Sequence, residues 1–324
     1  MKRPRIALLD DYQGFAASLP CWKRLEGRAE LQAFRDTSAT EDALVDRLRG
    51  FPIIVSIRER TQFPASTLKQ LSDLRLLALT GKNSGHVDVS AATSCGILVA
   101  ETEGSGASAF ELTIGLLLAA ARQIPREDRA MRAGGWQTSM GVELSGKTLG
   151  ILGLGRIGTR VAAAGRLFNM RVLASGLTLT GERAAAAGAT CATIDDLFRE
   201  SDFLSIHLRL TERTRGIVTA RHLSLMKPTA YLINTARGPL VDESALVAAL
   251  RDRRIAGAAL DVYDVEPLPV NHPLRSLDNV VLSPHIGYVT AEAYDGFFTQ
   301  AVDNVARYLD GELPLRTLNP EVMT

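Results

Sequence analysis

The sequence predicts an α/β protein with two doubly wound parallel sheets, and three observations carry that prediction. Apolar runs of strand length alternate with helical patterns through the first hundred residues, the pattern of βα units building a parallel sheet. One long apolar helical pattern interrupts the alternation, which then restarts at Lys147. At 324 residues the chain is also long for one hydrophobic core, so two domains are expected.

In the first series "RIALLD", "PIIVSI", "LRLLALTG" and "ILVAET" read as strands, and "TEDALVDRLRG" and "ASTLKQL" as helices. Ser38 with Glu41 three residues later fits a capping box for the first helix. "SAFELTIGLLLAAARQIPRE" reads as one long helix whose apolar middle must be buried, between lobes or against a partner subunit. The second series follows: "KTLGILGLG" is strand and turn, "RIGTRVAAAGRLFNM" helix, and "RVLAS", "FLSIH", "AYLINTA", "IAGAALDV" and "NVVLSP" further strands. From Thr290 onward "TAEAYDGFFTQAVDNVARYLDGE" has helical spacing, an N-capping threonine and a glycine at its end. It follows a completed second sheet, so it is expected to return to the first lobe.

Hydrophobic residues at 46% and charged residues at 23% are ordinary globular values, and the formal charge is +1. That balance gives no electrostatic reason to expect nucleic acid or a membrane surface as partner, and favours a protein handling small molecules. Cys21, Cys95 and Cys191 are odd in number and lack paired or metal-like spacing, so they read as buried free thiols. His86, His222 and His272 form no ligand cluster and read as surface or packing residues; no metal is expected. The first apolar run stops at Asp10 and Asp11, too short for a signal-peptide core, and "TIGLLLAAA" is too short to span a bilayer. A cytoplasmic location is expected.

"LGILGLGRIG" places Gly153, Gly155 and Gly158 in G-x-G-x-x-G spacing between a strand and a helix. The first glycine serves a tight turn, the second lets backbone approach a pyrophosphate, and the third lets helix pack on strand; Arg156 and Ile157 open the helix whose amides face the phosphates. Without its neighbours the pattern would be only a glycine-rich turn; in this position it marks a dinucleotide site. The next strand should end in an acid for the adenosine ribose, yet Ser175, Gly176 and Thr178 stand there, with no carboxylate before Glu182. Arg183 is the nearest downstream cation, and both NAD(H) and NADP(H) stay open as cofactor.

Five motifs, "GLGRIG", "HLRLTERTRGIV", "LINTARGPLVDESAL", "AALDVYDVEPLP" and "SPHIGYVT", in this order and spacing, resemble the D-isomer-specific 2-hydroxyacid dehydrogenase family over nearly the whole chain. The resemblance implies two Rossmann-like lobes flanking an active-site cleft: a dinucleotide-binding lobe, 101–286, inserted into a flavodoxin-like substrate lobe, 1–100 plus 287–324. It implies that Arg237 binds the substrate carboxylate and carbonyl oxygen, and that Glu266 and His285 complete a catalytic triad. It also implies that Asp261 contacts the nicotinamide carboxamide and that Thr113, Ser175, His207, Thr235, Ala236 and Gly287 line the cofactor. Formate dehydrogenases of the same superfamily carry glutamine where Glu266 stands, which argues against that branch.

The chemistry supports these roles on its own terms. Reducing a 2-oxo acid leaves charge on the carbonyl oxygen, so the site needs an acid to protonate it and a cation to hold the carboxylate. His285 suits the first need, and Arg237, with its planar donor fork, the second. Glu266 on the far imidazole nitrogen would fix the tautomer and stabilise the imidazolium. Plainer readings exist for each: Arg237 capping strand carbonyls, Glu266 a solvated loop charge, His285 a loop histidine with one backbone bond.

Departures from the family pattern are also informative. In "TGKNSGHVD", Asn83 stands where a second loop glycine is common, and Gly81, Lys82 and Asn83 are the candidate substrate-carboxylate loop; a polar surface turn is its plain alternative. Arg209 stands where proline is common. "GGWQTSMGVELSGKT" resembles the segment through which these enzymes form homodimers, so Trp136 and Met140 are candidates to reach a partner's pocket, against core packing of a lone tryptophan. The expected reaction is reversible reduction of a small 2-oxo acid, as in glyoxylate or hydroxypyruvate reductases. Two readings compete: an NAD(H)-sensing corepressor-like protein on the same fold, disfavoured by the lack of an extended terminal tail, and a short-form phosphoglycerate dehydrogenase without an added C-terminal domain.

Overall fold

The computed structural model describes residues 3–82, 85–104 and 106–323. The chain divides into two compact units, Met1–Ser105 with Thr290–Thr324, and Gly106–Val289.

The first unit holds β1 (Arg5–Leu8), β2 (Glu30–Ala33), β3 (Ile53–Ser56), β4 (Leu76–Leu79) and β5 (Leu98–Ala100). They pair in parallel in the order β2-β1-β3-β4-β5, the flavodoxin-like winding. β3 and β4 are buried at every residue, as strands covered on both faces must be. β2 is an edge strand of alternating exposure; having no apolar run, it escapes a search for buried strands. The Glu41–Leu48 helix is capped by Thr40, whose side chain accepts from the Ala43 amide at 3.2 Å. Ser38 is therefore not the cap, because the helix starts two residues later than a box on Ser38 requires, and the Glu41 carboxylate instead accepts from the Thr67 hydroxyl at 2.9 Å. The Ala291–Leu309 helix belongs to this unit, with Thr290 capping the Ala293 amide and Gly311 in a left-handed conformation just beyond its end.

The second unit contains β6 (Thr148–Leu152), β7 (Arg171–Ser175), β8 (Thr190–Cys191), β9 (Phe203–Ile206), β10 (Tyr231–Asn234), β11 (Gly257–Leu260) and β12 (Val280–Leu282). Their order, β12-β11-β10-β9-β6-β7-β8, is all parallel and reverses direction between β6 and β9, the doubly wound topology of dinucleotide-binding sheets. The apolar segment after Gly106 forms two helices, not one: Ala107–Ala121 and Ile124–Arg132, bent by 63°. Gln123 adopts φ 55° at the break and Pro125 opens the second helix; the Gln123 amide donates to the Tyr231 hydroxyl at 3.1 Å. Leu116, Leu117, Ala120 and Ala121 of the first helix pack with Ile151, Ile233 and Ala259, so its apolar face covers the sheet of its own unit. Among the described residues no single helix is long and apolar enough to cross a membrane.

The cysteines are free, but none is buried: Cys21 and Cys95 are half-buried, and Cys191 is exposed because it lies on the short edge strand β8. His222 caps its helix with Thr219, and His272 hydrogen-bonds Glu243 at 3.1 Å.

Candidate active site

Register brings the functional residues of the second unit to one level. Leu152 pairs with Ser175 and with Ile206, Ile206 with Asn234, Asn234 with Leu260, and Leu260 with Leu282, so six parallel strands end flush. The next residue of each chain segment, Gly153, Gly176, His207, Thr235, Asp261 and Ser283, therefore emerges at the carboxyl edge of the sheet, where doubly wound folds bind ligands.

At the β6 end the glycines are dictated by space. Gly153 has φ +103°, its amide donates to the Ser175 carbonyl at 2.8 Å, and a Cβ there would lie 2.8 Å from the His207 carbonyl carbon. A Cβ on Gly158 would lie 2.2 Å from the Gly153 carbonyl oxygen. Gly155, the N-cap of the twelve-residue Arg156–Leu167 helix, has nothing within 4 Å of a Cβ. The turn is thus closed against protein at two glycines and open at the third, at the start of a helix, which fits a dinucleotide pyrophosphate. Arg156 and Ile157 follow as the first two residues of that helix.

Across the sheet the site is made by side chains. Arg237 follows β10, and its Nη1 donates to the Ala236 carbonyl at 2.6 Å, while Asn234 ties the segment by accepting from the Ala236 amide and donating to the Arg237 carbonyl, both at 3.0 Å. Glu266 Oε1 accepts from the Tyr263 amide at 2.9 Å, leaving Oε2 to meet His285 Nδ1 at 2.5 Å. The histidine and glutamate are nineteen residues apart in sequence but paired in space, with the Glu266–Pro267 bond cis. His285 sits at φ 52° and packs edge-on to Tyr288 at 5.5 Å.

Asp261 explains how a non-glycine residue is held in that left-handed conformation. Oδ1 accepts from the Ser283 hydroxyl at 2.6 Å and the Ile286 amide at 2.8 Å, and Oδ2 from the Gly287 amide at 2.9 Å, so one carboxylate staples both sides of His285. Burial pushes the Asp261 carboxyl above the usual range, against the lowering pull of those hydrogen bonds and of His285. Three acceptor positions of Asp261 are thereby used inside the loop, a role that the motif alone did not reveal. Thr113 is fully buried and shares a 2.7 Å hydroxyl contact with Thr235, joining the first helix to the β10 end. His207 Nε2 lies 2.8 Å from the Ser205 hydroxyl, and desolvation lowers the imidazole to about 4, so it is neutral at ordinary pH although an edge of the residue reaches solvent.

The candidate carboxylate loop belongs to the first unit. The Gly81 amide donates to the Thr102 hydroxyl at 2.6 Å, Lys82 pairs with Glu103 at 2.6 Å, and Asn83 lies outside the described residues. Arg58, which the sequence did not single out, has φ 53°, and its Nη1 reaches the Thr80 and Lys82 carbonyls at 3.4 and 3.5 Å. No sequence signal separated it from the chain's other arginines. Trp136 and Met140 are 72% and 90% exposed, so core packing is not the role of Trp136 in this chain. Among the described residues no cluster of histidine, cysteine, aspartate or glutamate could hold a metal ion.

A family model described as D-isomer specific 2-hydroxyacid dehydrogenase, NAD binding domain, matches residues 114–287. A glyoxylate reductase of Aeropyrum pernix is 44% identical over 266 residues, 79% of either chain. A D-3-phosphoglycerate dehydrogenase of Methanocaldococcus jannaschii is 36% identical over 287 residues, 87% of this chain but 54% of that protein. Among solved structures, a phosphoglycerate oxidoreductase from Vibrio cholerae o395 superimposes with a TM-score of 0.91 at 40% identity, covering 95% of this chain and 99% of that one.

Proposed function

The chain belongs to the D-isomer-specific 2-hydroxyacid dehydrogenases, oxidoreductases with a nicotinamide cofactor, and within that family we propose that it reduces small 2-oxo acids of the glyoxylate and hydroxypyruvate kind to D-2-hydroxy acids. The observation that carries the reading is the 2.5 Å pair of His285, after β12, and Glu266, after β11, the strand next to the one that Arg237 follows.

The nicotinamide supplies the hydride when bound. The chain supplies the rest. Gly153, Gly155 and Gly158 cradle the pyrophosphate, and Thr113, Ser175, His207, Thr235, Ala236, Asp261 and Gly287 line the remainder of the dinucleotide. The Arg237 fork binds the substrate carboxylate and carbonyl oxygen. With Nδ1 committed to Glu266, His285 carries its transferable proton on Nε2 and gives it to the carbonyl oxygen as charge develops there; Glu266 stabilises the imidazolium before and the tautomer after. In the oxidative direction the same nitrogen accepts the hydroxyl proton. Gly81, Lys82 and Asn83 are the candidate loop for the substrate carboxylate, although the Lys82 ammonium is paired with Glu103 and the Gly81 amide with the Thr102 hydroxyl. The protein works as a cytoplasmic homodimer, a state supported by the exposed Trp136 and Met140 on a segment like the family's dimerisation arm.

The Vibrio cholerae structure favours a second reading, phosphohydroxypyruvate as the 2-oxo acid. Loss of reduced-nicotinamide absorbance with glyoxylate, hydroxypyruvate, pyruvate and phosphohydroxypyruvate tests both. Turnover of the unphosphorylated acids supports the first reading, turnover confined to the phosphorylated acid supports the second, and none with any 2-oxo acid despite nucleotide binding overturns both in favour of a sensor.

A further inference from the structure

We propose that Tyr263 is a positioning residue for the proton-transfer pair: its amide fixes Glu266 and its hydroxyl fixes the segment that carries His285, so both partners are referenced to one buried side chain. The inference rests on the dehydrogenase reading above and adds to it a residue beyond Arg237, Glu266 and His285.

Three contacts, all within the second unit, meet at Tyr263. Its amide donates to Glu266 Oε1 at 2.9 Å, leaving Oε2 for His285 Nδ1. Its hydroxyl donates to the Ser283 carbonyl at 2.9 Å, two residues before His285, with the Leu260 carbonyl at 3.2 Å sharing the hydrogen. Its carbonyl lies against Gly238, the residue after Arg237, where a Cβ would be 2.0 Å from the Tyr263 carbonyl carbon. The segments that follow β10, β11 and β12 are thus set against one residue.

The hydroxyl is the informative part. Tyr263 is 6% exposed, and its ring belongs to the buried cluster that holds Leu240, Leu260 and Leu274. A phenylalanine would fill that space without a hydroxyl to desolvate, so burial alone does not explain the tyrosine. What the hydroxyl supplies is a tie on the near side of His285. Pro284, between Ser283 and His285, has no amide hydrogen to give, and His285 itself stands at φ 52°. Asp261 holds the Ser283 hydroxyl and the amides beyond His285; Tyr263 holds the carbonyl before it. Burial pushes the phenol above its ordinary range, against the lowering pull of the Ser283 carbonyl, so it remains a donor at neutral and mildly alkaline pH. A proton donor displaced from hydrogen-bond reach of its acceptor loses rate before it loses binding.

The test is Tyr263→Phe, made in the wild type and in His285→Ala, with single-turnover rates and KM measured for glyoxylate, hydroxypyruvate and phosphohydroxypyruvate and for the reduced nucleotide. Removing the donor from a buried carbonyl should lower kcat by roughly five- to fiftyfold. KM for nucleotide and acid should stay within about twofold, and in His285→Ala the same substitution should change the residual rate by less than about twofold, because there is no imidazole left to place. An unchanged kcat, a loss confined to KM, a lowered thermal midpoint with kcat kept, or an equal fold-loss in both backgrounds overturns the inference and leaves the dehydrogenase reading standing. Absence of wild-type turnover with every one of the acids overturns both.

Discussion

The two ends of the seven-stranded sheet solve opposite problems. Beyond β6 and β7 the turn is built by leaving side chains out, so that strand and helix can close on one another at Gly153 and Gly158 and space stays open at Gly155, where the proposed function puts the pyrophosphate. Beyond β10, β11 and β12 it is built by side chains that hold other side chains: Asp261 holds the loop, the loop holds His285, and Glu266 orients its ring. Binding needs space and amides; proton transfer needs a titratable group fixed to within hydrogen-bond reach. Substitutions at the two ends should therefore fail in different ways.

The largest effect is expected at the side-chain end. His285→Ala should lower kcat by about 10²–10⁴-fold, the usual worth of a positioned acid, with cofactor affinity changed only a fewfold. Stopped-flow single-turnover reduction and nucleotide titration separate the two quantities. A variant that loses affinity and keeps its rate would make His285 a binding residue and erase the contrast.

Two alanines sharpen the glycine end. Gly158→Ala forces a Cβ to within 2.2 Å of a backbone oxygen, which has no flexible atom to yield, so it should cost roughly 1–3 kcal/mol of stability as well as nucleotide binding. Gly155→Ala meets open space at an extended φ of −93°, so the fold should survive while pyrophosphate affinity falls. Thermal midpoints and titrations with NADH and NADPH check both. If Gly155→Ala bound normally, the open glycine would not be where the phosphates lie.

Asp261→Asn tests whether the loop is held as argued. The isosteric amide keeps one acceptor and turns an NH₂ toward an N–H or O–H that was donating, leaving at least one buried donor unmatched, worth roughly 1–3 kcal/mol. The expected result is a ten- to hundredfold fall in kcat with faster amide hydrogen exchange at Ile286 and Gly287. Unchanged exchange with lowered NADH affinity would return Asp261 to a purely cofactor-contacting role.

How much of this could be read from residues follows the same division. The glycine turn is local in sequence, because strand, turn and helix are consecutive, and spacing alone gave Gly153 and Gly158 the turn and packing roles that their Cβ distances account for. The two sheets were legible from buried apolar runs, while β2 and β8 were not, since an edge strand of four or two half-exposed residues has no run to find. The long apolar segment misled because hydrophobicity reports burial, and says nothing of the left-handed Gln123 that splits it. The histidine and glutamate could be matched by resemblance, yet their 2.5 Å contact joins residues 266 and 285 through a fold. Asp261 as a staple and Arg58 beneath the Gly81 loop are products of packing, invisible to any short window.

The smallest effect comes from comparing the two histidines that the sheet's carboxyl edge carries. His285 is given a carboxylate partner; His207 is given a hydroxyl and no charge, and desolvation lowers it to about 4 from an ordinary 6.5. The unfolded chain takes up that proton as pH falls through about 6.5, while the folded chain refuses it until about 4. Stability is therefore intact above neutral pH, declines as pH falls between those values, and levels off below the lower one, a loss on the order of 1–2 kcal/mol by pH 5. His207→Gln keeps a polar partner for Ser205 and cannot titrate, so its urea midpoint should fall less steeply with acid than wild type. Parallel slopes would mean that His207 is protonated in the folded chain, and that the neutral ring expected beside the dinucleotide turn is instead a cation facing the cofactor.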